Sequence, residues 1–200
     1  MSSVQSLIAE LDEVLLKASN EQLLTILRRV TDLFIERAAT YANDHVAVFD
    51  EVLGRLVGKA ERPALAELSS KLAPVGNAPA NVIDRLARHD DIAISGPVLS
   101  KSNAVSERTL ASVAKEKSEK HLSAIAGREQ IDETVTDVLV DRCNSELACK
   151  VTSNKGAHLS EIGFVKLINR AKGDKILAAA IEGRSDLPPE LEPFLKLTLS

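Results

Sequence analysis

Val105-Ser106-Glu107, Ile131-Asp132-Glu133 and Leu159-Ser160-Glu161 are three versions of one phrase, set 26 and then 28 residues apart. Each is an aliphatic residue, a helix N-cap residue and a glutamate placed for the first helical turn. Pro79 stands one step before the series and Pro188 one step after it. Seven and eight residues beyond each cap site an apolar pair returns: Leu86/Ala87, Val113/Ala114, Leu139/Val140 and Leu167/Ile168. A fixed period of this size marks a repeat architecture, here one helical hairpin per repeat. The spacing predicts an all-α chain, an α-solenoid of short hairpins.

Within each period a second helix is expected to start near Asp90, Ser118, Asn144 and Asp174, all good cap types. Aliphatics follow at Ile94, Leu122, Leu147 and Leu177, and a turn later at Val98, Ile125, Val151 and Ile181. The turns repeat in alternate hairpins. Residues 125–131, IAGREQI, match 181–187, IEGRSDL, and 100–105, SKSNAV, resembles 153–159, SNKGAHL. Gly127 and Gly183 are expected to take positive φ and end their helices, and Asn103 and Gly156 suit the same role. Helices of about 8–12 residues do not stand alone in water, so the repeats need one another. Val135-Thr136 and Ile92-Ala93-Ile94 are β-branched yet fall in the helical phase of the repeat.

The first 75 residues have a different rhythm and predict an N-terminal helical bundle. Ser2 to Lys17 carries the stripe Val4, Leu7, Ile8, Leu11, Val14 and Leu15. Ser19 or Asn20 caps a helix through Leu23, Leu27, Val30 and Phe34, and Asn43 or Asp44 opens one through Val46, Phe49, Leu53 and Leu56. Pro63, where a first-turn proline is tolerated, starts a fourth. Pro74-Val75-Gly76-Asn77 marks the boundary between the bundle, 1–75, and the repeats, 76–200. The repeats amount to about four hairpins plus a terminal helix, packed with the bundle as one continuous unit.

Composition narrows the function classes. At 44% hydrophobic and 27% charged residues, the chain has the make-up of a folded soluble domain. Four Phe, one Tyr and no Trp leave the core to Ala, Leu, Val and Ile, and supply few stacking platforms for single-stranded nucleic acid. A net charge of −4 lacks the basic footprint of a nucleic-acid binder. No apolar run approaches the roughly 18 residues of a membrane span, and the N-terminus lacks the pattern of a secretory signal. The cytoplasm is the expected location. Cys143 and Cys149, the only cysteines, read as unpaired structural thiols near the start and middle of one helix.

The phrases VTDLF (30–34), VFDEVL (48–53), LARHD (86–90), PVLSKS (97–102) and HLSAIAGR (121–128), in that order, resemble a bacterial domain-of-unknown-function family with HEAT-like helical repeats. The resemblance spans about residues 25 to 195. It implies a right-handed helical stack and brings no activity, cofactor or catalytic residue. It also implies relatives longer at the C-terminus, and the apolar ending Phe194 to Ser200 points the same way.

Polar residues with chemical potential have structural readings beside the functional ones. His89-Asp90-Asp91 falls at a bend where Asp caps the second helix and His suits the end of the first; a metal there needs further ligands, such as His121, that no spacing rule supplies. His45 lies five residues before Asp50, off any common ligand face. His121 and His158 read as solvent-facing or hairpin-corner residues. Ser106, Ser118 and Ser160 read as caps, and the stretch Lys115 to Lys120 as a solvated corner. No glycine-rich phosphate loop, GxSxG, HExxH or CxxC is present. No cofactor or metal is expected, and no enzyme activity.

Arg128 and Arg184 recur two repeats apart after a glycine, with Arg88 and Arg142 at related ends of first helices. One reading pairs them with helix C-terminal carbonyls or a neighbouring carboxylate. The other makes Arg88, Arg128, Arg142 and Arg184 an interaction edge for an acidic or phosphorylated partner. The function expected is a non-catalytic protein–protein interaction scaffold or regulatory module, with another protein as partner and a homodimer through the N-terminal helices. The alternatives are a HEAT-like glycosylase acting on nucleic acid, which needs a basic groove and aromatics, and a module sensing a small ligand in an apolar pocket.

Overall fold

Helices of eight to ten residues dominate the chain, and each is held in place by its neighbours. The computed structural model describes residue 13 and residues 17–199. The apolar stripe from Val4 to Leu15, and the dimer contact expected of it, lie outside the described residues. Twelve α-helices follow: α1 Asn20–Arg37, α2 Asn43–Val57, α3 Arg62–Leu72, α4 Ala80–Ala87, α5 Ile92–Lys101, α6 Glu107–Glu116, α7 Glu119–Ala126, α8 Glu133–Arg142, α9 Ser145–Ser153, α10 Glu161–Arg170, α11 Lys175–Glu182 and α12 Glu192–Leu199. Among the described residues there is no strand; one isolated parallel bridge joins Ile131 to Ala157.

The caps explain where these helices start. Ser19 forms a capping box with Gln22, and Asn144, Ser160 and Asp174 each accept a bond from the first turn they precede. Ser118 and Asp132 stand at the N-cap positions of α7 and α8. Asp91, one residue later than the expected Asp90, caps α5 through Ala93 N–H. Pro79 precedes α4 with no side chain to offer. Asp50, from α2, takes its place and accepts from the N–H groups of Asn81 at 3.2 Å and Val82 at 2.9 Å. The β-branched Thr136 is accommodated because its hydroxyl bonds the Asp132 carbonyl one turn back.

Two compact units divide the chain, residues 1–106 and 107–200. The expected division at 75/76 falls inside the first unit, where α3 packs on both α4 and α5. In that unit α1 packs on α2 and α3, and α2 on α4. In the second, α6 packs on α7 and α8, α7 on α9, α8 on α10, α9 on α11, and α12 on α10 and α11. Contact with the helix two places along is therefore the rule within each unit. The apolar pairs of the period are the residues that make it: Val113, Ala114, Leu139, Val140, Leu167 and Ile168 are all buried. Fully burying each Val, Leu or Ile side chain contributes roughly 1.5–3 kcal/mol.

The glycines overturn one expectation. Gly127 (φ −87°) and Gly183 (φ −75°) are both right-handed. Their helices end in a tight turn in which the next arginine's N–H reaches back three residues, from Arg128 to Ile125 and from Arg184 to Ile181. No left-handed residue is needed for that geometry. Asn103 and Gly156 are not left-handed either; among the described residues the one positive-φ position is Gly173, at +82°.

Candidate functional site

The four arginines of the expected interaction edge do not form a free row. Arg184 has a side chain only 5% exposed. Its Nη1 donates to the carbonyls of Thr152 and Asn154 at 3.0 Å, and its Nη2 to Ala157 at 2.7 Å. Asp186 completes the set with two bonds, at 2.8 and 2.7 Å, and the guanidinium lies over the Phe164 ring. That guanidinium holds the Asp186 carboxyl below its usual range. Arg128 is also buried, and burial pushes its pKa down. Arg142 donates to the carbonyls of Ala114 at 2.6 Å and Lys117 at 3.0 Å, at the end of α6. Arg88 pairs with Asp84 on its own helix at 2.9 Å. Pairing with carbonyls and local carboxylates describes Arg88, Arg142 and Arg184.

Arg170 belongs with them and is not among the residues singled out from sequence. It stands 28 residues after Arg142 and donates to the carbonyls of Cys143 and Asp141 at the end of α8. Its place in the period, matched to the step from Asp132 to Ser160, was the available signal. A second set binds the other helices: Lys150 Nζ donates to the Ser123 carbonyl at 2.8 Å, and Asn154 Nδ2 to Ala126 at 3.1 Å and Arg128 at 2.7 Å. Beside them the chain segments around 131 and 157 bond directly, Ile131 N–H to Gly156 and His158 N–H to Ile131, both at 2.9 Å.

His45, His89, His121 and Cys143 have structural partners. His89 Nδ1 accepts from Asp91 N–H at 3.0 Å, while Asp91 pairs with Arg62. The Arg62 hydrogen bond, reinforced by the Ala93 N–H, takes the Asp91 carboxyl down to about 2. His121 corrects the solvent-facing expectation: it is 2% exposed, with Nδ1 2.8 Å from Ser118 Oγ. Three residues past the cap, it turns under the first turn of α7, where the cap hydroxyl meets it. His158 is exposed at a hairpin corner. His45 contacts Asp44 and stacks on Tyr41, ring centroids 5.8 Å apart. Cys143 sits after α8, in the loop before the helix that carries Cys149. Both are free, and burial pushes both thiols up, away from nucleophilic thiolates. Ser160 is oriented by the Asp137 carboxylate at 2.6 Å and caps Gly163 N–H. Among the described residues no three of His, Cys, Asp and Glu gather as a metal-binding group.

Exposed apolar side chains occur in both units. In the first unit, Leu33 (54% exposed) and Val48 (46% exposed) lie on α1 and α2, which supply Phe34 and Phe49 to a ring cluster completed by Tyr41 from the segment between them. Three of the chain's five aromatics thus converge there. In the second, Ile162, Val165, Ile176, Phe194 and Leu197 are exposed, all in the last three helices. No described helix is long and apolar enough to cross a membrane.

Residues 94–192 match the family described as an uncharacterised protein conserved in bacteria, DUF2336. The match takes in the phrases PVLSKS and HLSAIAGR and covers α6 to α11 entirely. No curated protein and no solved structure matches the chain.

Proposed function

We propose that this chain, with a DUF2336 domain over residues 94–192, is a non-catalytic scaffold or regulatory module that binds another protein. The observation that carries the reading is the packing rule: short hairpins stacked through contacts two helices along, in both units. We take this as a HEAT-like solenoid, an architecture whose use elsewhere is to present extended surfaces. Function does not follow from fold alone. The reading is supported by the structural partners of Ser118, Ser160, His89 and His121 described above. The exposed Leu33 on α1 and Val48 on α2 are the first side chains to test, since apolar side chains anchor interfaces. The location proposed is the cytoplasm, and a homodimer through the N-terminal helices is a further proposal.

Affinity capture from native cells, with the parent and a Leu33→Asp/Val48→Asp variant, tests the reading. The expected result is a stoichiometric protein partner retained by the parent and lost by a variant that melts normally. No partner across growth conditions overturns it. Sedimentation of the whole chain at micromolar concentration tests the dimer; a monomer there removes it.

A further inference from the structure

The last carbonyls of an α-helix have no partner within that helix. At the ends of α6 to α9 they are bonded by side chains from two helices further along. Arg142, the last residue of α8, holds Ala114 and Lys117 at the end of α6. Arg170, the last residue of α10, holds Asp141 and Cys143 at the end of α8. Lys150 and Asn154 of the α9 segment hold Ser123, Ala126 and Arg128 at the end of α7. Arg184, after α11, holds Thr152, Asn154 and Ala157 at the end of α9. In each of these ties the donor lies later in the chain than the carbonyl. Twenty-eight residues beyond Arg170 stands Thr198, whose hydroxyl instead bonds Leu195 in its own helix.

We infer that this one-way ladder is a conformational coupling device: the last turn of each of α6 to α9 is held closed by the hairpin that follows, so opening one hairpin loosens its predecessor. A guanidinium on two or three carbonyls makes charge-assisted bonds and faces the negative end of the helix dipole. Removing it leaves that last turn with neither, while the arginine's own helix keeps its internal bonds. Nearest-neighbour terms set the stability of stacked repeats, so a directed tie biases where opening begins and where it spreads. The device does not depend on the unit acting as a scaffold.

Amide hydrogen exchange on the whole chain tests it, comparing the parent with Arg142→Met, Arg170→Met and Lys166→Met. Lys166 pairs with the Asp141 side chain of the same neighbouring helix but holds no carbonyl, and serves as the control. Arg170→Met is expected to speed exchange roughly five- to tenfold at residues 139–143, with the last turn of α10 unchanged. Arg142→Met is expected to do the same at 113–117. Acceleration confined to the mutated residue's own helix, or no acceleration, overturns the inference, as does an equal effect from Lys166→Met. Should Arg170→Met unfold the unit, Arg170→Lys keeps one donor and must show a weaker effect at the same place; exchange rising evenly across the unit refutes the ladder.

Discussion

Gly156 and Glu129 meet backbone to backbone: a Cβ on Gly156 would lie 1.8 Å from the Glu129 carbonyl oxygen and 2.9 Å from its carbon. Glycine is required there by close approach and not by φ. Around Gly127 the nearest atoms to such a Cβ are at 3.5 Å, an ordinary contact. Gly156→Ala should therefore destabilise by about 3 kcal/mol, since rigid backbone must move. Gly127→Ala should be neutral or stabilise by about 0.5 kcal/mol by restricting the unfolded chain. Urea denaturation of the two variants gives the order, and equal losses would contradict it.

Arg184→Met should destabilise the second unit by about 2–3 kcal/mol, because it leaves three partly buried carbonyls without their donor. Arg88→Met should change stability by less than Arg184→Met, about 1 kcal/mol or below, its ion pair being half-exposed and on one helix. Thermal melts of both variants, followed by circular dichroism, check the contrast.

The Asp91 carboxyl predicts a pH dependence of definite sign. Its folded pKa of about 2 lies below the unfolded value, so its contribution is complete above about pH 4 and is lost as pH falls towards about 2. Asp91→Asn should flatten the slope of stability against pH in that window and leave the slope between pH 6 and 8 unchanged. A parent and variant with parallel slopes between about pH 4 and about 2 would rule this out.

Ser69 is fully buried on α3, and its hydroxyl has no hydrogen-bond partner among the described residues. Ser69→Ala removes an unsatisfied polar group at almost constant volume, and should stabilise by about 0.5–1 kcal/mol. A loss of stability would show that the hydroxyl has a partner in solution.

Asp50→Ala should destabilise by about 1 kcal/mol, as loss of an N-cap does, although Asp50 lies on α2 and the helix it caps is α4. The loss should appear as faster amide exchange at the first turn of α4. An effect confined to α2 would reverse the assignment.

Local rules made most of the helices readable. Ser19, Asn144, Ser160 and Asp174 cap the helices where their residue types and spacing place them, because a cap is a bond within four residues, and Ser118 and Asp132 stand at the expected N-cap positions without that bond. The aliphatic pairs are buried for the same reason: helical period puts them on one face. Asp50 was not readable, since it serves a helix about thirty residues away across a proline start. Gly127 and Gly183 misled, because a glycine after a helix fits both a left-handed end and a tight right-handed turn.

The repeated phrases thus determined by themselves an all-helical chain, the start of nearly every hairpin helix and its buried face. Tertiary structure alone decided what the repeated polar residues do. Whether Arg184 meets solvent or three carbonyls depends on the packing of α11 against α9 and on a loop nearly thirty residues earlier in the chain. Whether Gly156 needs to be glycine depends on how closely the Glu129 backbone approaches. Such contacts join residues distant in sequence through the geometry of stacking, and no period of the sequence encodes them.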